Sequence, residues 1–241
     1  MSRDRHGNPR LDGPGDCGPV TVLWRDEVAA AIGKPSGMLV HNSAFAGRPE
    51  WTLMQALPDV LGQNAFSLHR LDRGTSGVVL LSLQREQTAV WQAALQADAT
   101  RKTYLAIVRG RPEQTLEIDY AIADETGVKR EARTTLEPLL QSPADRCTLV
   151  RLTLHTGRWR QARHHCAHAT HPVLGDGEYG AGKLNRYYRE TWGLSRLALH
   201  AHTLDLTHPG TGEPLPLRCP LPPDLLDVAL RLFDSEAVLA L

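Results

Sequence analysis

The stretch HRLDRGTSGVVLLSL, residues 69–83, decides how the chain folds. Its second half, Gly77–Leu83, is a continuous apolar run of strand length. It lacks the polar alternation of a half-exposed ribbon, so it reads as a strand covered on both faces. Its first half is polar and holds one carboxylate, Asp72, between Arg70 and Arg73. An acid set directly before a buried strand stands on a rigid base, as a group whose direction matters must.

Outward from this stretch, TVLWRDEVAAAIGKPSGMLVH (21–41) predicts two short strands with a turn at Arg25-Asp26 and a second turn over 34–37. WTLMQALPDVLG (51–62) predicts a short helix broken near Pro58. REQTAVWQAALQAD (85–98) has helical periodicity, and KTYLAIVRG (102–110) reads as a second strand. LEIDYAI, EARTTLEPLL and CTLVRLTLHTG alternate as antiparallel ribbons do. RWRQARHHCAHAT (158–170) predicts a short basic helix, SRLALHAHTLDLTHP another strand, and PPDLLDVALRLF a closing helix with Pro at its start. Strands outnumber helices without regular βα alternation. The class is therefore α+β, with a mixed, mostly antiparallel central sheet flanked by helices. A Gly/Pro-rich polar segment over residues 1–19 reads as a flexible leader, and residues 20–241 as one domain.

Composition narrows the function. The apolar fraction is 41% and the mean hydropathy −0.31, and no window approaches the ~18 apolar residues of a membrane span. The N-terminus lacks the apolar core of a secretory signal. Four scattered cysteines (Cys17, Cys147, Cys166, Cys219) form no CxxC pair, which points to a reducing cytoplasm. The 27 basic residues balance the 27 acidic ones, yet residues 64–111 carry a net charge of +4 and residues 151–200 one of +5. Two basic blocks on an otherwise acidic chain can form one cationic face for a polyanion, although charge alone also fits a solvated surface.

Several motifs fail their physical tests. Gly33-Lys34-Pro35-Ser36 lacks a phosphate loop's first glycine, since Val28 stands there, and Pro35 replaces the Ser or Thr after the lysine. GDGEYG (175–180) matches a dinucleotide glycine pattern but follows no strand, so a tight loop is expected. His164, His168 and His171 share one face of a helix, a spacing zinc could use, but no HExxH or CxxC accompanies them. No metal or other cofactor is expected. Asp72, Lys102-x-Tyr104 and TGRWRQARHH each lie at a strand end, and together they make a plausible acid, tyrosine and guanidinium constellation.

These residues resemble a known family. HRLDRGTSG is similar to the H-R-L-D-x-x-T-S-G signature of pseudouridine synthases that isomerise uridine in ribosomal and transfer RNA. KPSGMLVH, RKTYLAIVRG and TGRWRQARHHCAHATHPVLGDGEYG resemble the family's other motifs, in order, from about residue 20 to 230. NRYYRETWGLSRLALHAHTLDLTHPGTGEPL (185–215) most resembles the branch acting on uridine 65 in the T-stem of tRNA, which has no S4 RNA-binding domain. Where the family has His and then Ile or Leu, this chain has Arg160 and Ala162.

The resemblance implies an enzyme that breaks the N1–C1′ bond of uridine, turns the base and rejoins it through C5, without cofactor or metal. It makes Asp72 the catalytic carboxylate, acting as nucleophile at C1′ or removing a proton toward a glycal. Arg163 becomes its cationic partner, and Tyr104 lies against the uracil as a candidate acceptor of the C5 proton. Arg70 would fill the gap left by an extruded nucleotide, a step that costs a few kcal/mol. Arg73, Arg101, Lys102, Arg158 and Arg160 would hold phosphates. Thr75, Ser76 and Gly77 would fix the turn that aims Asp72. The implied partner is RNA, tRNA ahead of ribosomal RNA, bound by a cytoplasmic monomer. Two rival readings are a non-catalytic RNA-binding relative and a metal-dependent hydrolase built on the histidine cluster.

Overall fold

β1 (Thr21–Arg25) and β2 (Ala29–Lys34) form the first hairpin. Its turn is closed by Asp26, whose carboxylate accepts the amide hydrogens of Val28 and Ala29. The computed structural model describes residues 19–42, 51–124 and 126–240. The leader expected over residues 1–19 lies, but for its last residue, outside them. Helix α1 (Leu53–Leu61) follows and does not break at Pro58. The helix runs through it to Gly62, whose left-handed φ of 74° ends the helix while its amide bonds to the Pro58 carbonyl. At the other end Gln55 turns back to accept the Thr52 amide. A proline six residues in forfeits one backbone bond, and the burial of Leu53, Leu57 and Leu61 outweighs that loss.

β3 (Phe66–Ser67) leads to β4 (Ser76–Ser82), every residue of which is buried. β4 pairs antiparallel with β2 and, at Ser76 and Gly77, parallel with β11 (Leu199–Thr207). Side chains alternate along it. Val79 and Leu81 pack with Ala30, Ile32 and α1, while Val78 and Leu80 pack with Ala29, Ala31 and Trp91 and Leu95 of α2 (Thr88–Gln96). A helix on each face is the physical reason the middle of the strand, Val78 to Leu81, is apolar throughout.

The second half is built on β5 (Arg101–Arg109), β6 (Leu116–Asp119), β9 (Arg133–Gln141) and β10 (Cys147–Leu154). Between β6 and β9 lies a separate ribbon of β7 (Ile122–Ala123) and β8 (Lys129–Arg130). LEIDYAI is thus two strands rather than one. The main sheet runs β1-β2-β4-β11-β5-β10-β9-β6, with β3 on β4 and β12 (Pro214–Arg218) on β11. Helices α3 (Gln161–His168), α4 (Gly182–Trp192) and α5 (Pro223–Phe233) cover this half. Their Ala162, Cys166, Tyr188, Val228 and Leu232 join Ala106, Val150 and Leu199 in one core. The α+β architecture with a mostly antiparallel sheet is as expected.

Three differences have local causes. α3 is shorter than the basic helix expected over 158–170, because Arg160 (φ 53°) and Thr170 (φ 64°) adopt left-handed conformations that no helix continues through. α4 is absent from the elements the sequence predicts, because its apolar stripe of Leu184, Tyr188 and Trp192 is narrow and only Tyr188 of its eleven residues is buried. β12 was missed because its two prolines disguise a strand. With Leu215 and Leu217 buried and Pro214 and Pro216 exposed, it alternates as a proline-bearing strand at the margin of a sheet can.

Candidate active site

The loop before β4 is a tight turn in which the Thr75 amide bonds to the Asp72 carbonyl at 3.1 Å. The segment after β2 grips it from one side. Lys34, 1% exposed, directs its ammonium to the carbonyls of Pro35, Met38 and, at 3.4 Å, Arg73. Ser36 Oγ donates to the Gly74 carbonyl, and the Gly37 amide to that of Arg73. KPSG therefore binds backbone, not phosphate. Gly77 lies flush against β11, where an added side chain would run into the Ala201 carbonyl. His69, the first residue of the signature, is an anchor whose Nε2 accepts the amide of Leu80 in β4 at 2.9 Å.

Asp72 and Arg163 are 91 residues apart in sequence, yet Arg163 Nη1 lies 3.3 Å from Asp72 Oδ2. At an effective dielectric near 20 that attraction is on the order of 4 kcal/mol, enough to offset much of the cost of removing a carboxylate from water. Asp72 Oδ1 accepts no hydrogen bond among the described residues. One oxygen is held, and the other has no donor among the described residues.

The sequence reading missed what orients Arg163. Asp176, with a fully buried side chain, takes Arg163 Nε on Oδ2 at 2.7 Å and Nη2 on Oδ1 at 2.8 Å. Such a two-point grip fixes the plane of the guanidinium as well as its place. The amides of Glu178 and Tyr179 also bond to Asp176 Oδ1. Burial opposes ionisation of Asp176, but the Arg163 and amide hydrogen bonds outweigh it and hold the carboxyl below its usual range. Burial works against the charge of Arg163 too, and Asp176 and then Asp72 overcome it, so the guanidinium stays cationic. Glu178 completes the cluster, 3.4 Å from Arg163 Nη2 and ion-paired with Arg160. Asp176 was within the GDGEYG loop all along. Its signal was an acid inside an apparent glycine motif, and only the fold brings that loop beside α3.

Tyr104 lines a small cavity of about 20 Å³ with His69, Lys102, Ala201 and Thr203. Burial and then the charge of Asp72 raise its pKa, so its hydroxyl keeps its proton at neutral pH and no phenolate stands ready. Burial lowers the pKa of Lys102. A larger cleft of about 370 Å³, lined by Thr103, Leu105 and Arg151, contains none of the Asp72 cluster. Alternation along β5 puts it on the face opposite Tyr104.

The remaining expected RNA contacts scatter around the cluster. Arg70 is exposed and forms no ion pair among the described residues. Arg73 Nε donates to the Gly37 carbonyl, and Arg101 is exposed at the start of β5. Arg158 Nε bonds to the Glu131 carbonyl, and Arg160 stacks over the Trp159 ring at 4.1 Å. The histidines on and just after α3 diverge. His164 meets the Tyr179 hydroxyl, His168 stacks on Tyr120, and His171 bonds to the Arg109 carbonyl. His165 is buried between Thr134 and the Tyr120 carbonyl. No cluster of three metal-ligating side chains occurs among the described residues.

Two imidazoles, buried His200 and partly buried His69, give this site a pH dependence. Burial drives the pKa of both His69 and His200 down to about 4, with Lys102 adding to the effect at His69. The unfolded chain takes up protons as pH falls from about 6.5 to 4 while these rings in the fold refuse them, so stability must drop across that window. The expected loss between pH 7.5 and 5 is on the order of 2 kcal/mol per ring. Urea unfolding at the two pH values measures it; half the loss would show that one ring becomes solvated, and an unchanged midpoint that both do.

Residues 29–168 match the family model described as RNA pseudouridylate synthase. The chain is 37% identical to the tRNA pseudouridine synthase C of Vibrio vulnificus, over 82% of this chain and 89% of that protein. It is 36% identical to the Pasteurella multocida protein of the same name, over 89% and 96%. Its fold superposes on human RNA pseudouridylate synthase domain containing 1 with a TM-score of 0.70 at 25% identity, covering 88% of each chain. By this kinship over most of its length, the chain belongs to the RNA pseudouridylate synthase family and is an RNA-modifying isomerase.

Proposed function

We propose that this chain converts uridine 65 in the T-stem of tRNA to pseudouridine, with Asp72 as the reacting carboxylate. The observation that carries the chemical part is the division of labour within Asp72, whose Oδ2 is held by Arg163 while Oδ1 has no donor among the described residues. That free oxygen can add to C1′ or remove a proton toward a glycal, so the same geometry serves both routes. Tyr104, protonated, presents its ring to the uracil. Arg70 enters the gap in the stem, and Arg73, Arg101, Lys102, Arg158 and Arg160 meet phosphates along the backbone. The names carried by the bacterial relatives support a tRNA address.

The proposed setting is the cytoplasm, with a monomer acting on RNA. In keeping with it, no helix among the described residues is long and apolar enough to cross a membrane. Cys147, Cys166 and Cys219 are buried free thiols. Residues 20–241 are proposed to form the whole catalytic unit.

The test uses transcripts carrying C5-tritiated uridine. Release is expected from a tRNA transcript and is expected to vanish when the T-stem uridine is replaced by cytidine. Release from a 23S ribosomal transcript but not from tRNA would overturn the address. Binding without release from either would favour a non-catalytic RNA-binding protein.

A further inference from the structure

The ion cluster joins two parts of the chain that must be kept in register, the Asp72 turn and the Asp176 loop that clamps Arg163. One dipeptide lies between them. A methyl group on Gly74 would come within 3.1 Å of Leu197 Cβ, and one on Gly175 would strike the Arg196 carbonyl and come within 3.2 Å of Leu197 Cα. Arg196-Leu197 therefore touches the residue two after Asp72 on one side and the residue just before Asp176 on the other. Neither neighbour has a side chain to give way.

The Arg196 side chain ties this dipeptide to the same turn. Its Nη2 donates to Ser76 Oγ at 2.6 Å and to the Leu199 carbonyl at 3.3 Å, and its Nε donates to the Leu197 carbonyl. Its Nη1 reaches both oxygens of Asp224 in α5 at 3.3–3.4 Å. Ser76 Oγ also lies 2.8 Å from His200 Nδ1, and His200 Nε2 lies 2.9 Å from the Cys219 carbonyl. A carbonyl only accepts, so Nε2 carries the ring proton and Nδ1 must accept from Ser76. The chain of donors then runs one way, from guanidinium to hydroxyl to imidazole to carbonyl. Each group has a single compatible orientation, which makes the link rigid.

We infer that Arg196 is a positioning residue that sets the distance between Asp72 and Arg163, by acting with Leu197 as a spacer between the two loops that carry them. The inference rests on Asp72 and Arg163 being the reacting pair. It gives Arg196 no contact with substrate, and it separates Arg196 from the residues that bind RNA.

The experiment measures single-turnover pseudouridine formation and RNA affinity for Arg196→Lys, alone and in an Arg163→Lys background. Lysine keeps the charge but cannot reach Ser76, Asp224 and the Leu197 carbonyl together. With the native Arg163, the rate is expected to fall about 30-fold with RNA affinity within about twofold, as for a small displacement of reacting groups. In the Arg163→Lys background the pair is already out of register, and Arg196→Lys should slow the reaction less than about threefold further. Equal slowing in both backgrounds, or no slowing at all, overturns the inference. Full activity of Arg163→Lys alone is a different failure, that of the reacting pair itself. Should Arg196→Lys not fold, Ser76→Ala cuts the same link and is read by the same criteria.

Discussion

Asp72→Asn is expected to abolish pseudouridine formation, by at least about 10⁴-fold, while the protein folds and binds RNA nearly as before. The substitution conserves volume. The Asn carbonyl can still accept from Arg163 Nη1 in place of Oδ2, so the loop keeps its tie to α3. What disappears is the negative charge on the free oxygen, and a neutral amide neither adds to C1′ nor removes a proton from ribose. The turn itself is set by backbone bonds from Thr75 and Gly37 and by Lys34 and Ser36, none of which involves the Asp72 side chain. Tritium release from C5-labelled tRNA measures the loss, with urea unfolding as the control for structure. An Asn variant that turns over at more than a few per cent of the native rate would remove Asp72 from the chemistry.

Arg163→Ala should be inactive for a different reason, and it should also be less stable. The native guanidinium serves three carboxylates, and its removal leaves Asp176 buried with no cation and Asp72 without its partner, while Glu178 keeps Arg160. Breaking a buried pair from one side typically costs about 3–5 kcal/mol, because the stranded charge keeps its desolvation penalty. The pH dependence of that cost identifies its source. Asp176 has its pKa lowered in the fold, so the stabilisation from its pairing is complete above the ordinary carboxylate range and disappears as pH falls through the folded value. The gap in unfolding free energy between native protein and variant should therefore be largest at neutral pH and close toward pH 3. Arg163→Ala/Asp176→Asn should recover much of the stability at neutral pH and none of the activity. A double variant as unstable as the single one would show that packing of the arginine stem, rather than the stranded carboxylate, sets the cost.

How far the site could be read beforehand varies from residue to residue. Asp72 was conspicuous because a polar turn abuts a strand with no polar residue to spare, and Arg163 followed from resemblance to the family's motif. Asp176 went unassigned because its one mark, an acid inside a glycine-rich loop, does not say that the acid is buried or which cation it meets. Lys34 fails the phosphate-loop pattern in sequence, and only the fold shows its task, a backbone brace. His164, His168 and His171 have ligand spacing, but each ring is committed to a different neighbour. Pro58 shows the same limit in secondary structure, since its local preference loses to the burial of three leucines along α1.

The sequence alone determined the elements whose signal is local and periodic. The apolar run of β4, the alternation of β9 and β10 and the amphipathic α5 each follow from which side chains must leave water along a short stretch of chain. It also determined which acid was worth attention. Only the tertiary structure decided which cation meets that acid, what holds the cation in plane, and what spaces the two loops. Those outcomes depend on contacts between residues 13 to 120 positions apart, and they arise where β4, β11 and β5 are brought side by side and α3, packed against β9 and β10, presents Arg163 to the loop before β4. Local propensity acts over a few residues and has no hold on a distance set by the packing of strands far apart in sequence.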